Sequence, residues 1–143
     1  MNSRLDTLQA AILLPKFKAF ADYELNDINE VANWYYKGLK DTDIVLPVVT
    51  EGYYSSWAQY TVQLPKGTDR KKVQEKLKAV GIPTMVYYAK PMHLQGAFAG
   101  TDSADAECPV TESLCSTVLS LPLDPYKTKA DIDCVVTELK KAL

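Results

Sequence analysis

One histidine, three cysteines and three clusters of aromatic rings carry most of the chemistry this 143-residue chain can do by itself. His93 lies in Lys90-Pro91-Met92-His93-Leu94-Gln95. An imidazole there, titrating near neutral pH, can act as a general acid or base or touch a ligand; the other reading is an ordinary surface or capping histidine. Trp34-Tyr35-Tyr36, Tyr53-Tyr54 with Trp57, and Tyr87-Tyr88 combine flat apolar faces with polar tips. Such rings suit sugar or nucleotide surfaces and protein interfaces, and equally suit a core. Cys108, Cys115 and Cys134 match no C-x-x-C zinc or redox pattern, so reduced, buried thiols are expected. A lone histidine leaves a conventional metal site almost nothing to build from, and no metal is expected. Ser/His/Asp groupings, phosphate-cradling glycine loops and H-E-x-x-H are all missing, which rules out a self-contained catalytic apparatus of those kinds. The basic run RKKVQEKLK reads as a solvated helix face.

Composition sets the frame in which those residues must be held. Hydrophobic residues at 47% and charged residues at 24% are ordinary for a globular chain of one domain, or one domain with an appendage. A net charge of −2 supplies no basic field to concentrate polyanions, so nucleic acid is not an expected partner. No apolar run is long enough to cross a bilayer and the N-terminus lacks the pattern of a secretory signal, so the expectation is a cytoplasmic protein with no membrane partner.

Periodicity then places the elements. Leu5, Leu8, Ile12 and Leu13, followed by Ile28, Val31, Tyr35 and Leu39, recur at helical spacing and predict a helical arm over residues 1–40. Asn2 or Ser3 is expected to cap it, and Pro15 to kink or break it. Residues 41–143 read as a separate α+β unit. The run near 44–49 and the alternating run 55–64 are expected to pair as strands; RKKVQEKLKAV is a helix capped by Thr68 or Asp69 and ended by Gly81; IPTMVYY is a third strand. Residues 89–109 form a long loop, 108–117 a short helix, 118–123 a short strand, and 129–143 a closing helix with Ile132, Val135, Val136 and Leu139 inward. The fold class is therefore α+β: a small, mostly antiparallel sheet packed against helices, with an N-terminal helical arm.

Four stretches in order then resemble one family. Asn2-Ser3-Arg4-Leu5-Asp6-Thr7-Leu8-Gln9-Ala10-Ala11 resembles the N-x-R-x-D-x-x-Q-A-A segment of DegT/StrS sugar aminotransferases, which use pyridoxal phosphate on an aspartate aminotransferase fold. Ser56-Trp57-Ala58-Gln59-Tyr60 with Arg70 and Leu77 agrees next. Gly81-Ile82-Pro83-Thr84 with Tyr88 and Lys90-Pro91-Met92-His93-Leu94-Gln95 follows, then Val118-Leu119-Ser120-Leu121-Pro122-Leu123. Each is weak singly; together they cover nearly the whole chain.

The resemblance begins at residue 2, where the family's chain has already passed its large N-terminal domain and the lysine of the internal aldimine. It implies that this chain is the small C-terminal domain, inactive alone and partnered by the missing large domain and by a second subunit in a homodimer. In the complete protein the substrates would be a nucleotide-sugar and an amino-acid donor. By the same resemblance Asn2 and Arg4 are the expected cofactor-phosphate residues of the neighbouring subunit's site, their donors suiting oxyanions. His93, Tyr88 and Lys90 are the expected sugar-facing residues. Pyridoxal phosphate belongs to the complete protein and none is expected on this chain alone, since the cofactor is the electron sink and none of its lysines occupies the matching motif. The alternative is a stand-alone, non-catalytic binding or regulatory module derived from the family. An arm without its large domain would expose Leu8, Ile12 and Leu13, so self-association is expected.

Overall fold

A computed structural model describes residues 4–143. The chain opens with α1 (Thr7–Ala19), passes through a π turn at Phe20–Glu24, and continues as α2 (Leu25–Leu39). The cap of α1 is neither Asn2 nor Ser3, which lie outside the described residues, but Asp6, whose carboxylate accepts from the Gln9 backbone N–H at 2.7 Å while Gln9 reaches back to the Asp6 N–H. This reciprocal box satisfies two donors that a helix start leaves open. Nor does Pro15 break the helix. No residue of α1 is buried, so the carbonyl left without a donor by the proline faces solvent and the ladder continues. The irregularity falls instead at Phe20–Glu24, a wide turn of the kind that re-aims side chains within a helix.

The interior begins with α2, whose Val31, Ala32, Tyr35 and Leu39 form one stripe. That stripe packs on α5 (Lys129–Ala142), where Ile132, Val135, Val136 and Leu139 are buried as the periodicity required. Thr128 and Asp131 close a second capping box at the start of α5. Gly38 marks the close approach of these two helices, because a Cβ there would stand 2.9 Å from Val136 Cγ2. Helix α3 (Arg70–Ala79), capped by Asp69, also packs on α5 and adds Val73 and Leu77 to the core; Val80 is exposed at its end. The chain then reverses at Gly81 (φ +79°), where the Gly81 and Ile82 N–H groups bond back to Lys78 and Leu77.

The sheet is smaller than the sequence predicts and paired differently. β1 (Tyr60–Gln63) runs antiparallel to β2 (Val118–Leu121), with Tyr60 opposite Leu121 and Gln63 opposite Val118. The segments expected to be further strands contribute one bridge each, Val45 on Gln63 and Met85 on Ser120. Trp57, at φ +47°, ends the extended run ahead of Tyr60, and prolines at 47 and 83 remove donors that longer ladders would need. Tyr60, Val62, Leu119 and Leu121 face the three helices and complete the core; Thr61 and Ser120 share a hydroxyl hydrogen bond of 2.7 Å on the opposite side. α4 (Pro109–Thr117) leads directly into β2 after a loop made of short 3-10 turns. Of the cysteines only Cys115 is buried; Cys108 is half-buried and Cys134 exposed, because Cys134 sits on the outer face of α5.

Candidate functional site

The loop from Tyr88 to Gln95 is anchored by two residues and leaves the others free. Pro91 is buried. The His93 side chain is 9% exposed and its Nε2 stands 3.3 Å from Glu112 Oε1 on α4. With the proton on Nε2 the ring donates to that carboxylate and keeps Nδ1 as an acceptor. Tyr88 and Lys90, on the same loop, project into solvent. The loop, α3 and α4 together border a hollow of about 620 Å³ lined by Arg70, Lys71, Gln74, Glu112 and Ser116 among apolar neighbours. One wall is Arg70, whose guanidinium donates to the Cys115 carbonyl at 2.6 Å and the Val118 carbonyl at 3.0 Å, closing the C-terminal end of α4. A positive charge there also suits the helix dipole. The hollow offers cations from α3 and a carboxylate from α4, a set fitted to a polar or anionic ligand.

A second cleft, of about 370 Å³, opens on the sheet face away from the helices, between Gln59, Met85, Tyr87, Ser120 and Leu123, with Lys127 and Asp124 at its edge. A third, of about 320 Å³, lies between α2 and residues 47–60. Here the aromatic clusters divide. Tyr35 is fully buried, stacks on Tyr60 at 4.8 Å, and donates to the Pro122 carbonyl at 2.7 Å. Burial raises its hydroxyl pKa well above the phenolic range, so it is a neutral structural group. Trp57 lies against Tyr60 at 5.4 Å, while Tyr53, Tyr54, Tyr87 and Tyr88 are exposed.

At the root of the arm the structure assembles a group that no spacing announces. Glu24, 3% exposed, receives Lys16 Nζ on Oε1 and Oε2 at 2.5 and 2.7 Å, and the Tyr126 hydroxyl also donates to Oε1. The Lys16 ammonium also stands 5.6 Å from the Tyr126 ring centroid. Lys16, then Tyr126, hold the Glu24 carboxyl below its usual range, and Glu24 in turn raises Lys16. Lys16 is eight residues away and Tyr126 over a hundred, so neither helical periodicity nor a motif could pair them.

Of the residues singled out for cofactor contact, Asn2 lies outside the described residues and Arg4 is exposed just ahead of the Asp6 cap. Tyr88, Lys90 and His93 share one loop, and only His93 is drawn into a side-chain contact. Glu112 escaped the sequence reading because it lies 19 residues from His93 across a non-repeating loop. Among the described residues, no three His, Cys, Asp or Glu side chains gather where they could hold a metal ion, and no helix is long and apolar enough to cross a membrane.

Comparison with known proteins gives a consistent set of likenesses. The profile of the DegT/DnrJ/EryC1/StrS aminotransferase family matches residues 1–140. Among curated relatives, UDP-2-acetamido-2-deoxy-3-oxo-D-glucuronate aminotransferase of Pseudomonas aeruginosa is 41% identical over 97% of this chain. A pleiotropic regulatory protein of Geobacillus stearothermophilus is 39% identical over 96%. The chain spans 37% of the length of each. Among solved structures, a DegT DnrJ EryC1 StrS aminotransferase from Brucella abortus aligns at a TM-score of 0.86 with 40% identity, covering 99% of this chain and 36% of that one. DesV of S. venezuelae, solved with a ketimine intermediate, also aligns at 0.86, with 30% identity over 99% of this chain and 37% of its own.

Proposed function

The chain belongs to the DegT/DnrJ/EryC1/StrS aminotransferase family, and from that premise we propose that it forms the C-terminal part of a pyridoxal-phosphate-dependent enzyme that moves an amino group from an amino acid onto a nucleotide-linked keto-sugar. One observation carries this reading: the match runs nearly the full length of the chain while spanning only 37% of the curated relatives it matches. The remainder of such a protein supplies the large domain and its aldimine lysine. In this reading α1 connects to it as an arm, whereas α2, expected from sequence to belong to that arm, packs its Val31, Ala32, Tyr35 and Leu39 on α5 and joins residues 41–143 in the small domain.

The residues of this chain fit only a corner of the cofactor. Arg4 offers a planar donor fork suited to phosphate oxygens, and Asn2 an amide. Two of its lysines are poorly suited to a Schiff-base site: Lys16 is committed to Glu24, and Lys127, beside Asp124 at 3.3 Å, is 37% exposed. A nucleophilic lysine needs desolvation or a neighbouring cation to lose its proton, and neither is found at these two. On this reading the chain alone is inactive in amino transfer, because the lysine that holds the cofactor belongs to the large domain. What it contributes to a homodimer is the arm bearing Asn2 and Arg4 and the loop bearing Tyr88, Lys90 and His93, the latter held by Glu112 in a pose that presents Nδ1 toward a sugar hydroxyl.

A chimera tests the reading. Joined behind the N-terminal part of the Pseudomonas aeruginosa relative, this chain should restore amino transfer to a UDP-linked keto-sugar. His93→Ala should raise KM for the sugar at least severalfold while changing kcat less, since the residue is assigned to binding. The unfused chain, treated with pyridoxal phosphate and borohydride, should show no single lysine labelled stoichiometrically. Such a lysine would place a complete site within these residues. A well-folded chimera without transferase activity would favour the non-catalytic module instead, a role for which the name of the Geobacillus relative gives support.

A further inference from the structure

The cleft between α2 and residues 47–60 lies at the end of the sheet opposite the His93 loop, and neither Arg4 nor any sugar-facing residue lines it. Three features of it are unusual together. Tyr60 is 1% exposed, stacked between Tyr35 and Trp57, and its hydroxyl is the one buried side-chain polar atom without a hydrogen-bond partner among the described residues. Buried hydroxyls are almost always paired, so this closed-off one marks the floor of the cleft as imperfectly packed. Trp57, the wall beside it, holds a left-handed backbone (φ +47°) that bulky residues avoid. It is kept there by the Ser55 hydroxyl on its N–H and by Asn29 Oδ1 on its indole N–H at 2.9 Å. Asn29 spends its own two donors on the Leu25 and Ser55 carbonyls, so its work is to fix the indole plane. Strain of this sort concentrates at ligand clamps.

The groups left available define the ligand. Asn33 and Tyr36 border the cleft with no side-chain hydrogen bond among the described residues; burial, and after it the nearby Tyr36, raises the pKa of the Tyr60 phenol. Val48, 85% exposed, stands at the rim. No residue lining the cleft carries a charge, so a phosphate or carboxylate would find no counter-ion. We infer that this cleft is a binding site for an uncharged pyranose ring, one C–H face lying on the aromatic wall of Trp57 and Tyr36 and its hydroxyls meeting the exposed side chains of Asn33 and Tyr36. Rigid rings flanked by a few convergent polar groups are the usual makeup of a small-ligand site. The site stands independently of amino transfer.

The test uses the 143-residue chain with N-acetylglucosamine, glucose 6-phosphate and uridine as probes, followed by amide NMR shifts and by the fluorescence of its tryptophans. N-acetylglucosamine should give saturable shifts in residues 29–36 and 47–60, and glucose 6-phosphate should bind about tenfold more weakly because its charge is unmet. Tyr36→Phe should weaken binding about fivefold, the worth of one hydrogen bond, whereas Tyr60→Phe should raise the melting temperature, since it removes a buried group with no partner. Asn33→Ala, on an exposed helix position, should weaken binding without altering the fold. Absence of saturable shifts with the neutral sugar would overturn the assignment. So would preferential binding of uridine, or Tyr36→Phe and Asn33→Ala chains that both bind as the parent does.

Discussion

The contact between Gly38 and Val136 offers the sharpest test of how the helical layer is assembled. In isolation Gly38→Ala should stabilise α2, because alanine is favoured over glycine by about 1 kcal/mol within a helix, somewhat less in the last turn. The structure reverses that sign. The new Cβ would stand 2.9 and 3.1 Å from the two γ-methyls of Val136, a residue only 7% exposed and held on one rotamer by its helix. Relief requires the two helices to part, and overpacking of this kind costs about 1–3 kcal/mol. The net expectation is a loss of about 1 kcal/mol, or roughly 3 °C in Tm for a chain of this size. Val136→Ala alone should cost about 2 kcal/mol for two buried methyls and the space they leave. In that background the nearest remaining contact is Val136 Cβ at 3.5 Å, an ordinary one, so Gly38→Ala should become stabilising by a few tenths to about 1 kcal/mol. Circular-dichroism melts and urea titrations of the four chains give a coupling of about 2 kcal/mol if the argument holds. A Gly38→Ala chain that melts higher than the parent, or shifts equally in both backgrounds, refutes the close approach.

Three further outcomes are expected. Gly81→Ala, with nothing within 4 Å of its new Cβ but φ at +79°, should lose about 1 kcal/mol purely from backbone strain, seen as a lower urea midpoint with unchanged slope. Glu24 has a folded pKa below its ordinary 4.5, so its contribution is full above that value and fades as pH falls through the folded pKa. Glu24→Gln should flatten the acid limb of a Tm-against-pH curve, and parallel acid limbs in the two chains would count against the Lys16 and Tyr126 contacts. Light scattering of the purified chain should show association that rises with concentration and falls in Ile12→Glu and Phe17→Glu, both residues being well over half exposed; a strict monomer at high concentration would contradict it.

Helical elements were largely legible because their signals are local. The stripes in α2 and α5, the Asp69 cap and the Gly81 stop all depend on residues within one or two turns of each other. Strand extent was not, since it depends on a partner: the run 44–49 has β-branched residues, yet only Val45 finds a ladder bond, and β1 takes its main pairing from a strand more than fifty residues away. The same division runs through the candidate sites. A histidine in a motif can be found by reading along the chain, whereas Glu112 against it, Arg70 on the end of α4, and the unpartnered hydroxyl of Tyr60 are products of packing.

The arm brings these lines together. Amphipathic helices on a surface show one apolar stripe; α1 instead carries Leu8, Ile12, Leu13, Leu14 and Phe17 around its whole circumference, and not one of them is buried. A helix apolar on every side is stable in water only when enclosed, so its surroundings must come from more than one direction. That is what the proposed assembly supplies, a large domain against one side and a second subunit against another. The Lys16, Glu24 and Tyr126 group then has a mechanical meaning. It ties the root of the arm to the segment between β2 and α5, so the direction in which the arm leaves the body is fixed by charged contacts at one point while the rest stays open for docking. A latch in the last turn of α1 leaves the apolar residues of that helix open to the proposed partners.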